Sequence, residues 1–409
     1  MKRVKLALHW QILIAILLGI VFGILCFDYV KYIDWAGSMF LRALKMIIIP
    51  MVFTSLIMGV ASIGKSSDLG RIAGKTFAFY ILTTLVATAI GLVLVNLFKP
   101  GVGATINLTE TVQSVKATET SFMDQIVAII PDNIFASLSK GDLLPVIFFA
   151  ILFGFFITQV DEKPRIFLSD FFSSAFDVVM KITLFVIKFT PYGVFAIVAK
   201  MVGDQAGDSE KLMGVLSSLG VYTLIVWAGC LIHGGLVLPA IVRIFGKTNP
   251  WRHLKEMSSA VLTAFSTCSS AAALPIALKD SQEKIGISNK IASFTLPLGA
   301  TVNMNGTALY EGITVLFIAQ AYGIDLSIGQ QIMVMATVLL AAIGTASIPM
   351  AGLVMITVVL QVVGLPLEGI GLVLAVQQLC DMPRTAVNTY GNTCAALVIA
   401  KSEGESLKI

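Results

Sequence analysis

Charged side chains are scarce in this chain. Asp, Glu, Lys and Arg together supply 13% of its 409 residues, whereas hydrophobic residues supply 57%. A soluble domain normally carries about 25% charged residues. The shortage leaves too few charges to cover a surface that faces water. It therefore excludes an ordinary soluble protein and indicates that lipid covers much of the molecule.

Histidine and cysteine are also few, at three and five residues respectively. His9, His233 and His253 lie far apart in the sequence, and the cysteines lie singly, without the spacing of metal ligands. We therefore expect no metal site, no cofactor and no histidine-based catalysis, and we do not interpret the chain as an enzyme. The net charge is only +4, and basic residues form no stripe with aromatic ones, so nucleic acid is not an expected partner.

Apolar runs of about 20 residues, by contrast, recur along the chain, and each is long enough to cross a bilayer. Because lipid offers no partner to free backbone groups, such runs predict helices. They lie at about 8–28, 38–63, 74–98, 143–160, 168–200, 213–245 and 290–322. The first is interpreted as a membrane span rather than a signal peptide, since no convincing small-residue cleavage site follows it. The predicted fold class is an all-α polytopic membrane protein.

Basic residues fall on alternate loops between these runs. They cluster before the first run, after the second, between the fourth and fifth, and after the sixth, as Lys2, Arg3, Lys5; Lys65, Arg71, Lys75; Lys163, Arg165; and Arg243, Lys247, Arg252, Lys255. The positive-inside rule assigns such clusters to the cytoplasm. It predicts a cytoplasmic N-terminus and places the polar segment 101–142 outside.

The pattern changes after about residue 256. Segment 258–278 is apolar in bulk but is interrupted by small polar residues at 266–270, and segment 338–362 is interrupted in the same way at 344–352. Unwound backbone is tolerated at membrane depth only where it lines a cavity or is buried in protein. Paired broken segments are typical of a transporter's binding site. The alternative is that the small residues only permit close helix packing.

Polar residues of both charge signs follow in the last apolar segment. They are spaced i, i+3, i+4, i+7 and i+11 and therefore share one helical face: Asp381, Arg384, Thr385, Asn388 and Asn392. A charge at the centre of a bilayer costs roughly 2.5–3.5 kcal/mol, so the stripe predicts a lined pocket. The alternative is an ion pair between Asp381 and Arg384 that satisfies itself.

Glu311 lies in the preceding apolar run, one turn after Thr307, and has no basic residue nearby in the sequence. Burial disfavours the charged form of a carboxyl group, so we expect Glu311 to hold a proton near neutral pH. The sequence therefore predicts a proton-carrying group at this position. The alternative is a glutamate at the wet edge of a cavity.

These motifs resemble the dicarboxylate/amino-acid:cation symporter family, which includes the glutamate transporters, and the resemblance runs along nearly the whole chain. Its anchors are the serine-rich residues 266–270, the NMNGTALYE motif at 303–311, the interruption at 344–352 and the stripe 381–392. The resemblance implies eight transmembrane helices plus two re-entrant helical hairpins, an elevator-type mechanism, and a homotrimer in the cell inner (plasma) membrane.

The resemblance also implies two domains. The scaffold comprises helices 1 and 2 in residues 1–72, together with an outer loop and helices 4 and 5 in residues 101–203. The transport domain comprises helix 3 in residues 73–100 and, in residues 204–409, helix 6, hairpin 1, helix 7, hairpin 2 and helix 8. In an elevator mechanism, the second domain carries the bound substrate across the membrane past the first.

The family pattern implies the role of each site residue. An arginine that matches Arg384 pairs with the side-chain carboxylate of the substrate, an acid that matches Asp381 binds its ammonium group, and an amide that matches Asn388 binds its α-carboxylate. The remaining substrate positions are Ser269, Ser270, Thr307, Ile348, Gly352 and Thr385. Family members for C4-dicarboxylates lack the acid, and members for neutral amino acids lack the arginine. The resemblance therefore implies that the substrate is aspartate or glutamate.

Sodium-coupled members have aspartates where this chain has Asn305 and Asn392, and a hard cation prefers anionic oxygens. With those two carboxylates absent, we interpret the matching sodium-site positions as degenerate, including Tyr80, Thr83, Thr84 and Asn303. Glu311 matches the glutamate that carries the proton in animal glutamate transporters, so we expect proton-coupled, sodium-independent symport. The alternatives are a Na⁺-coupled symporter of acidic amino acids or dicarboxylates and, from another class, an anion channel or a substrate sensor.

Overall fold

The computed structural model describes residues 8–61, 67–102, 127, 130–140, 143–203, 209–343 and 351–409. Within these ranges the regular secondary structure is helical and contains no strand. This agrees with the expected all-α class, because a helix pairs the backbone groups of an apolar run within the run itself.

The helices of the N-terminal half are α1 (Leu8–Leu25), α2 (Asp34–Ala61), α3 (Ser67–Phe98), α4 (Ile134–Lys140), α5 (Leu143–Ile157), α6 (Glu162–Ile187) and α7 (Thr190–Gly203). The apolar run predicted at 168–200 is not one straight helix, because α6 and α7 meet at a bend of 50°. Pro191 explains the break, since proline lacks the N–H that would continue α6 but fits the first turn of a new helix.

The helices of the C-terminal half are α8 (Ser209–Ile232), α9 (Leu238–Ile244), α10 (Pro250–Thr267), α11 (Ser270–Asp280), α12 (Asn289–Val302), α13 (Asn305–Ala321), α14 (Ile328–Ile343), α15 (Ala351–Val362), α16 (Ile370–Leu374) and α17 (Gln377–Ser402). A π-helical turn at His233–Val237 joins α8 to α9, and another at Ser281–Ile285 follows α11. Helices α10 and α11 pack against each other, and so do α14 and α15.

Several described helices are apolar enough to meet lipid. Arg71–Phe98 and Met213–Ile244 are each long enough to cross a membrane alone, and the bent pair of α6 and α7 forms a third span if it is counted as one. Shorter apolar helices lie at Ile14–Leu25, Ile49–Met58, Pro145–Ile157 and Ile328–Ala342. This composition is that of a membrane protein.

The helices pack in two groups. In the first group, α1 runs along α7, and α2 contacts α5, α6 and α7. In the second group, α13 lies between α3 and α17, while α17 also contacts α8, α10 and α12. Almost every residue of α13 is buried, from Asn305 to Ala319 without exception. The polar residues of α13 and α17 therefore face each other in the interior of the second group.

Candidate functional site

The first predicted interruption lies at the turn between α10 and α11. Cys268 ends α10 in the left-handed conformation, with φ of 52°, and the chain re-enters a helix at Ser270. Ser269 is the N-cap of α11, and its Oγ accepts a hydrogen bond from Ala272 N at 3.3 Å. The expected break at 266–270 is thus present, and it places the N-terminus of a helix at the turn.

The second predicted interruption, at 344–352, falls mostly outside the described residues, and Ile348 lies outside them too. Gly352, in the first turn of α15, is described and buried. A Cβ added at this glycine would overlap Arg384 Nη1, so α15 begins directly against the guanidinium group. Only glycine permits so close an approach.

The run predicted at 290–322 proves to be two helices, α12 and α13, separated at Asn303 and Met304. The first N–H groups of any helix lack partners within it. In α13 two of them are satisfied from α17, because Asn388 Oδ1 accepts from Gly306 N at 2.8 Å and from Thr307 N at 3.3 Å. The physical cause of the break is therefore a tertiary cap, which hydropathy alone does not reveal.

The polar stripe on α17 is buried, as expected. Arg384 Nε donates to Asp381 Oδ1 at 2.8 Å, and the two side chains are 3% and 1% exposed. Thr385 Oγ1 lies 3.0 Å from the same carboxylate oxygen and 2.8 Å from the backbone oxygen of Asp381. The ion pair considered from the sequence thus exists. It leaves Arg384 Nη1 without a hydrogen-bond partner among the described residues, so this donor is available to a ligand.

Two further helices, α13 and α11, contact the side of α17 that carries the stripe. Asn388 Nδ2 donates to Thr307 Oγ1 at 2.9 Å, which links α17 to α13. Thr389 Oγ1 lies 3.4 Å from Ser270 Oγ, which links α17 to the start of α11. The fold therefore brings most of the expected substrate positions into one buried region, while Ser269 serves as the cap just outside it.

The expected sodium-site positions form a second polar cluster beside the stripe. Thr84 Oγ1 donates to Asn305 Oδ1 at 2.8 Å, and the amides of Asn303 and Asn392 meet at 2.8 Å. A Cβ added at Gly299 would lie within 2.6 Å of both Tyr80 Oη and the Asn392 amide, so these groups are neighbours. Thr83 does not join the cluster through a hydrogen bond, because its hydroxyl donates to Phe79 O of its own helix at 2.8 Å.

The amide of Asn392 takes the place that a carboxylate would occupy in this cluster. One of the two terminal atoms of this amide lies 3.2 Å from the carbonyl oxygens of both Gly299 and Asn388. When that atom is the amide nitrogen, it donates a hydrogen bond to each of these carbonyl oxygens. These two carbonyl oxygens can therefore be satisfied without a cation, whereas Asn303 Oδ1 and Asn305 Nδ2 are buried without a partner among the described residues.

Glu311 lies on α13, one turn after Thr307, and is fully buried. Neither of its carboxylate oxygens has a hydrogen-bond partner in the part of the chain that the structure describes. Arg384 is close enough for its charge to act on this carboxyl group. The wet cavity edge considered from the sequence does not fit these observations, since Glu311 shows no exposed surface.

Tyr310, a neighbour of Arg384, and Gln377, the partner of Tyr310, are not predicted from the sequence. The guanidinium carbon lies 5.0 Å from the centroid of the Tyr310 ring, which is a cation–π distance. The hydroxyl of Tyr310 donates to Gln377 Oε1. Gln377 lies four residues before Asp381. Continuing the i, i+4 spacing of the polar stripe backwards by one turn would have found it.

The site is buried, holds charges of both signs and lies between broken apolar helices. These features are those of a membrane transport protein. Residues 8–402 match the model of the sodium:dicarboxylate symporter family. This chain belongs to that family, which confirms the resemblance inferred from the motifs. Its family and its relatives are transporters rather than enzymes.

The relatives are similar to this chain over most of their length. A proton/sodium-glutamate symport protein of Bacillus caldotenax is 36% identical over 98% of this chain and 96% of its own. A proton/glutamate-aspartate symporter of Escherichia coli (strain K12) is 36% identical over 98% of this chain and 94% of its own. Excitatory amino acid transporter 3 of Mus musculus is 33% identical over 98% of this chain and 87% of its own.

Proposed function

We propose that this chain is a secondary active symporter of acidic amino acids, coupled to protons and independent of Na⁺. The observation that carries the proposal is the buried Arg384, which is paired with Asp381 through one nitrogen and left open at another. A fixed cation with a free donor inside an apolar helix bundle is suited to bind a carboxylate. All three relatives described above are named for glutamate, aspartate or amino acid transport.

Each polar group has a role in the proposed substrate complex. Arg384 binds the side-chain carboxylate, and Asp381 binds the ammonium group. Asn388 and Thr307, already joined at 2.9 Å, bind the α-carboxylate. The N-terminal N–H groups of α11 and α15 favour negative charge at the two turns, since helix N-termini attract anions. The remaining proposed substrate positions are Ser269, Ser270, Ile348, Gly352 and Thr385.

The helices fit an elevator with eight spans and two re-entrant hairpins. The spans are α1, α2, α3, α5, α6 with α7, α8 with α9, α12 with α13, and α16 with α17, and the hairpins are α10–α11 and α14–α15. The two packing groups support a scaffold in 1–72 and 101–203 and a transport domain in 73–100 and 204–409. We place three copies in the plasma membrane, with their N-termini in the cytoplasm.

Proton coupling is assigned to Glu311. An ionised carboxylate with no hydrogen-bond partner is costly in an apolar interior, so Glu311 carries a proton while substrate is bound. Arg384 is then free to hold the substrate carboxylate. After substrate and proton leave on the inside, Glu311 and Arg384 pair with each other. The pair gives Arg384 Nη1, which Asp381 leaves open, an anionic partner. The empty transport domain can then return.

Independence from Na⁺ is supported by the amides of Asn305 and Asn392. Thr84 already donates to the amide oxygen of Asn305, and the described residues of the cluster include no carboxylate for a cation to neutralise. The relative named as a proton/sodium-glutamate symport protein favours one alternative, a Na⁺-coupled symporter.

Substrate competition tests the proposed specificity. Uptake of labelled L-glutamate into liposomes that contain the purified protein is measured with an acidic outside medium. Excess unlabelled L-aspartate or L-glutamate should abolish the signal, whereas succinate and L-alanine should leave most of it, because succinate lacks the ammonium group and alanine lacks the second carboxylate. Equal inhibition by succinate would instead identify a dicarboxylate carrier.

A further inference from the structure

Two side chains contact the guanidinium group of Arg384, one at its edge and one at its face. Asp381 accepts from its Nε at 2.8 Å, and the Tyr310 ring lies beneath its carbon at 5.0 Å. Its Nη1 points at the first turn of α15, beside Gly352, without a partner among the described residues. Any ligand carboxylate that uses Nη1 therefore depends on the angle that the ring and the acid impose on the guanidinium plane.

The Tyr310 ring is itself held at its far end. Its hydroxyl donates to Gln377 Oε1, and both residues are buried, at 0% and 1% exposure. Tyr310 belongs to α13, whereas Gln377 is the first residue of α17. The bond therefore joins the helix that carries Glu311 to the helix that carries Arg384, one turn before Asp381.

We propose that Gln377 is a positioning residue of the substrate site. Its amide oxygen fixes the hydroxyl of Tyr310, the fixed ring supports the guanidinium of Arg384, and Nη1 is thereby aimed at the incoming carboxylate. Gln377 acts through Tyr310 and does not itself touch the substrate. The inference rests on the proposed function in one respect only, namely that the ligand presents a carboxylate to Arg384.

A second glutamine, on the same helix as Tyr310, provides the contrast. Gln320 lies near the end of α13, where its Nε2 donates to Val95 O at 3.2 Å and its Oε1 accepts from Gly101 N at 3.1 Å. Its amide therefore joins α13 to the end of α3 rather than to the helix that carries Arg384. Replacing it should cost hydrogen bonding without changing the direction of the guanidinium.

The test is a double-mutant cycle on transport kinetics and ligand affinity. Gln377→Met removes the acceptor at nearly constant volume, and Tyr310→Phe removes the donor while keeping the ring. Each should raise the KM for L-aspartate about tenfold, while the maximal rate per folded transporter changes by less than about twofold. Because both changes break one bond, the double variant should also show about a tenfold effect rather than about a hundredfold one. Gln320→Met, the matched control, makes the same chemical change near the end of α13 and should leave the KM unchanged.

Outcomes separate this inference from the proposed function. Binding of L-aspartate and of succinate to purified wild-type protein is measured first, and the cycle is run with whichever binds. If succinate alone binds, the proposed substrate is wrong while the positioning role is still tested. An unchanged KM in either single variant, or effects that multiply in the double variant, would overturn the role of Gln377. If Gln377→Met does not fold, Tyr310→Phe decides the question by itself.

Discussion

Arg384 is the residue on which the substrate assignment depends. Its Nε donates to Asp381 and one face of its guanidinium plane lies over the Tyr310 ring, while Nη1 stays open beside Gly352. Lysine could keep the charge, but it is a compact point charge and has no planar fork to share between Asp381 and a ligand carboxylate. The side chain thus supplies geometry as well as charge.

Arg384→Lys tests this geometry. The account predicts that the KM for L-aspartate rises at least about 30-fold, which corresponds to about 2 kcal/mol for a lost buried charge-assisted contact. Arg71→Lys is the matched control, because Arg71 pairs with Glu403 at a more exposed site, at 2.6 Å, and its KM should not change. A KM within about twofold of wild type in Arg384→Lys would remove Arg384 from the substrate complex.

Glu311 is the second residue with a definite expectation. Glu311→Gln keeps the shape and the neutral state of the side chain but cannot release a proton. Binding of L-aspartate should persist, whereas the rise of wild-type uptake with external acidity should disappear. Uptake at several external pH values measures both, with Glu283→Gln as a control at a carboxylate that is 64% exposed. Unchanged pH dependence in Glu311→Gln would assign the proton to another group, with Asp381 the next candidate.

At the scale of elements, the charge of the polar cluster between α3, α12, α13 and α17 determines whether it binds a cation, and this can be tested. Asn305→Asp combined with Asn392→Asp would place two carboxylates in a buried cluster that is now neutral. A buried charge needs a partner, so the double variant should melt at a higher temperature in NaCl than in choline chloride, because a bound cation stabilises the folded state. Wild-type protein should show no difference. A higher melting temperature of the wild type in NaCl would contradict the claim that this cluster binds no Na⁺.

The sequence predicts the elements of this fold unevenly. Apolar runs locate the helices because burial in lipid depends on composition alone, and the turn at 266–270 is visible from its small polar residues. The break between α12 and α13 is not visible, because its cause is Asn388, which caps Gly306 from 82 positions away. Local hydropathy carries no information on such a contact.

The sequence also predicts some residues of the candidate site and not others. The stripe from Asp381 to Asn392 follows from helical spacing, since its members lie on one helix. The sequence does not single out Tyr310, because an aromatic residue in an apolar run normally indicates packing. Only the fold, which brings its ring to 5.0 Å from the guanidinium carbon of Arg384, reveals the polar environment.

At the scale of the whole molecule, an ion cluster joins the end of α17 to the start of α3. Glu403 contacts Arg71 and Lys75 at 2.6 Å each. The residues that follow also contact other elements, since Glu405 Oε2 accepts from Ser288 N at 3.0 Å and Lys408 N donates to Ile285 O at 2.9 Å. The segment after α17 therefore ties together the ends of α3, α12 and the first hairpin.

This cluster gives the protein a pH-dependent stability. Hydrogen bonds from Arg71 and Lys75 lower the pKa of Glu403 from its ordinary value of 4.5 to about 2. Because the pKa is lowered by folding, the stabilisation is complete above about pH 4.5 and is lost as the pH falls towards 2. Glu403→Gln should melt below wild type at neutral pH, and the gap should close in acid. A difference in melting temperature that stays constant down to low pH would contradict this account. The control is Glu283→Gln, at an exposed ion pair in which Glu283 lies 4.0 Å from Lys279. This variant should melt at the same temperature as wild type.

The driving ion decides the account as a whole, and gradients imposed one at a time measure it. Purified protein in sealed liposomes is given labelled L-aspartate under an inward proton gradient without Na⁺, or under an inward Na⁺ gradient without a pH difference, with the membrane potential clamped. The account predicts accumulation above equilibrium with the proton gradient alone and none with the Na⁺ gradient alone. Accumulation that requires Na⁺ and ignores the proton gradient would contradict it.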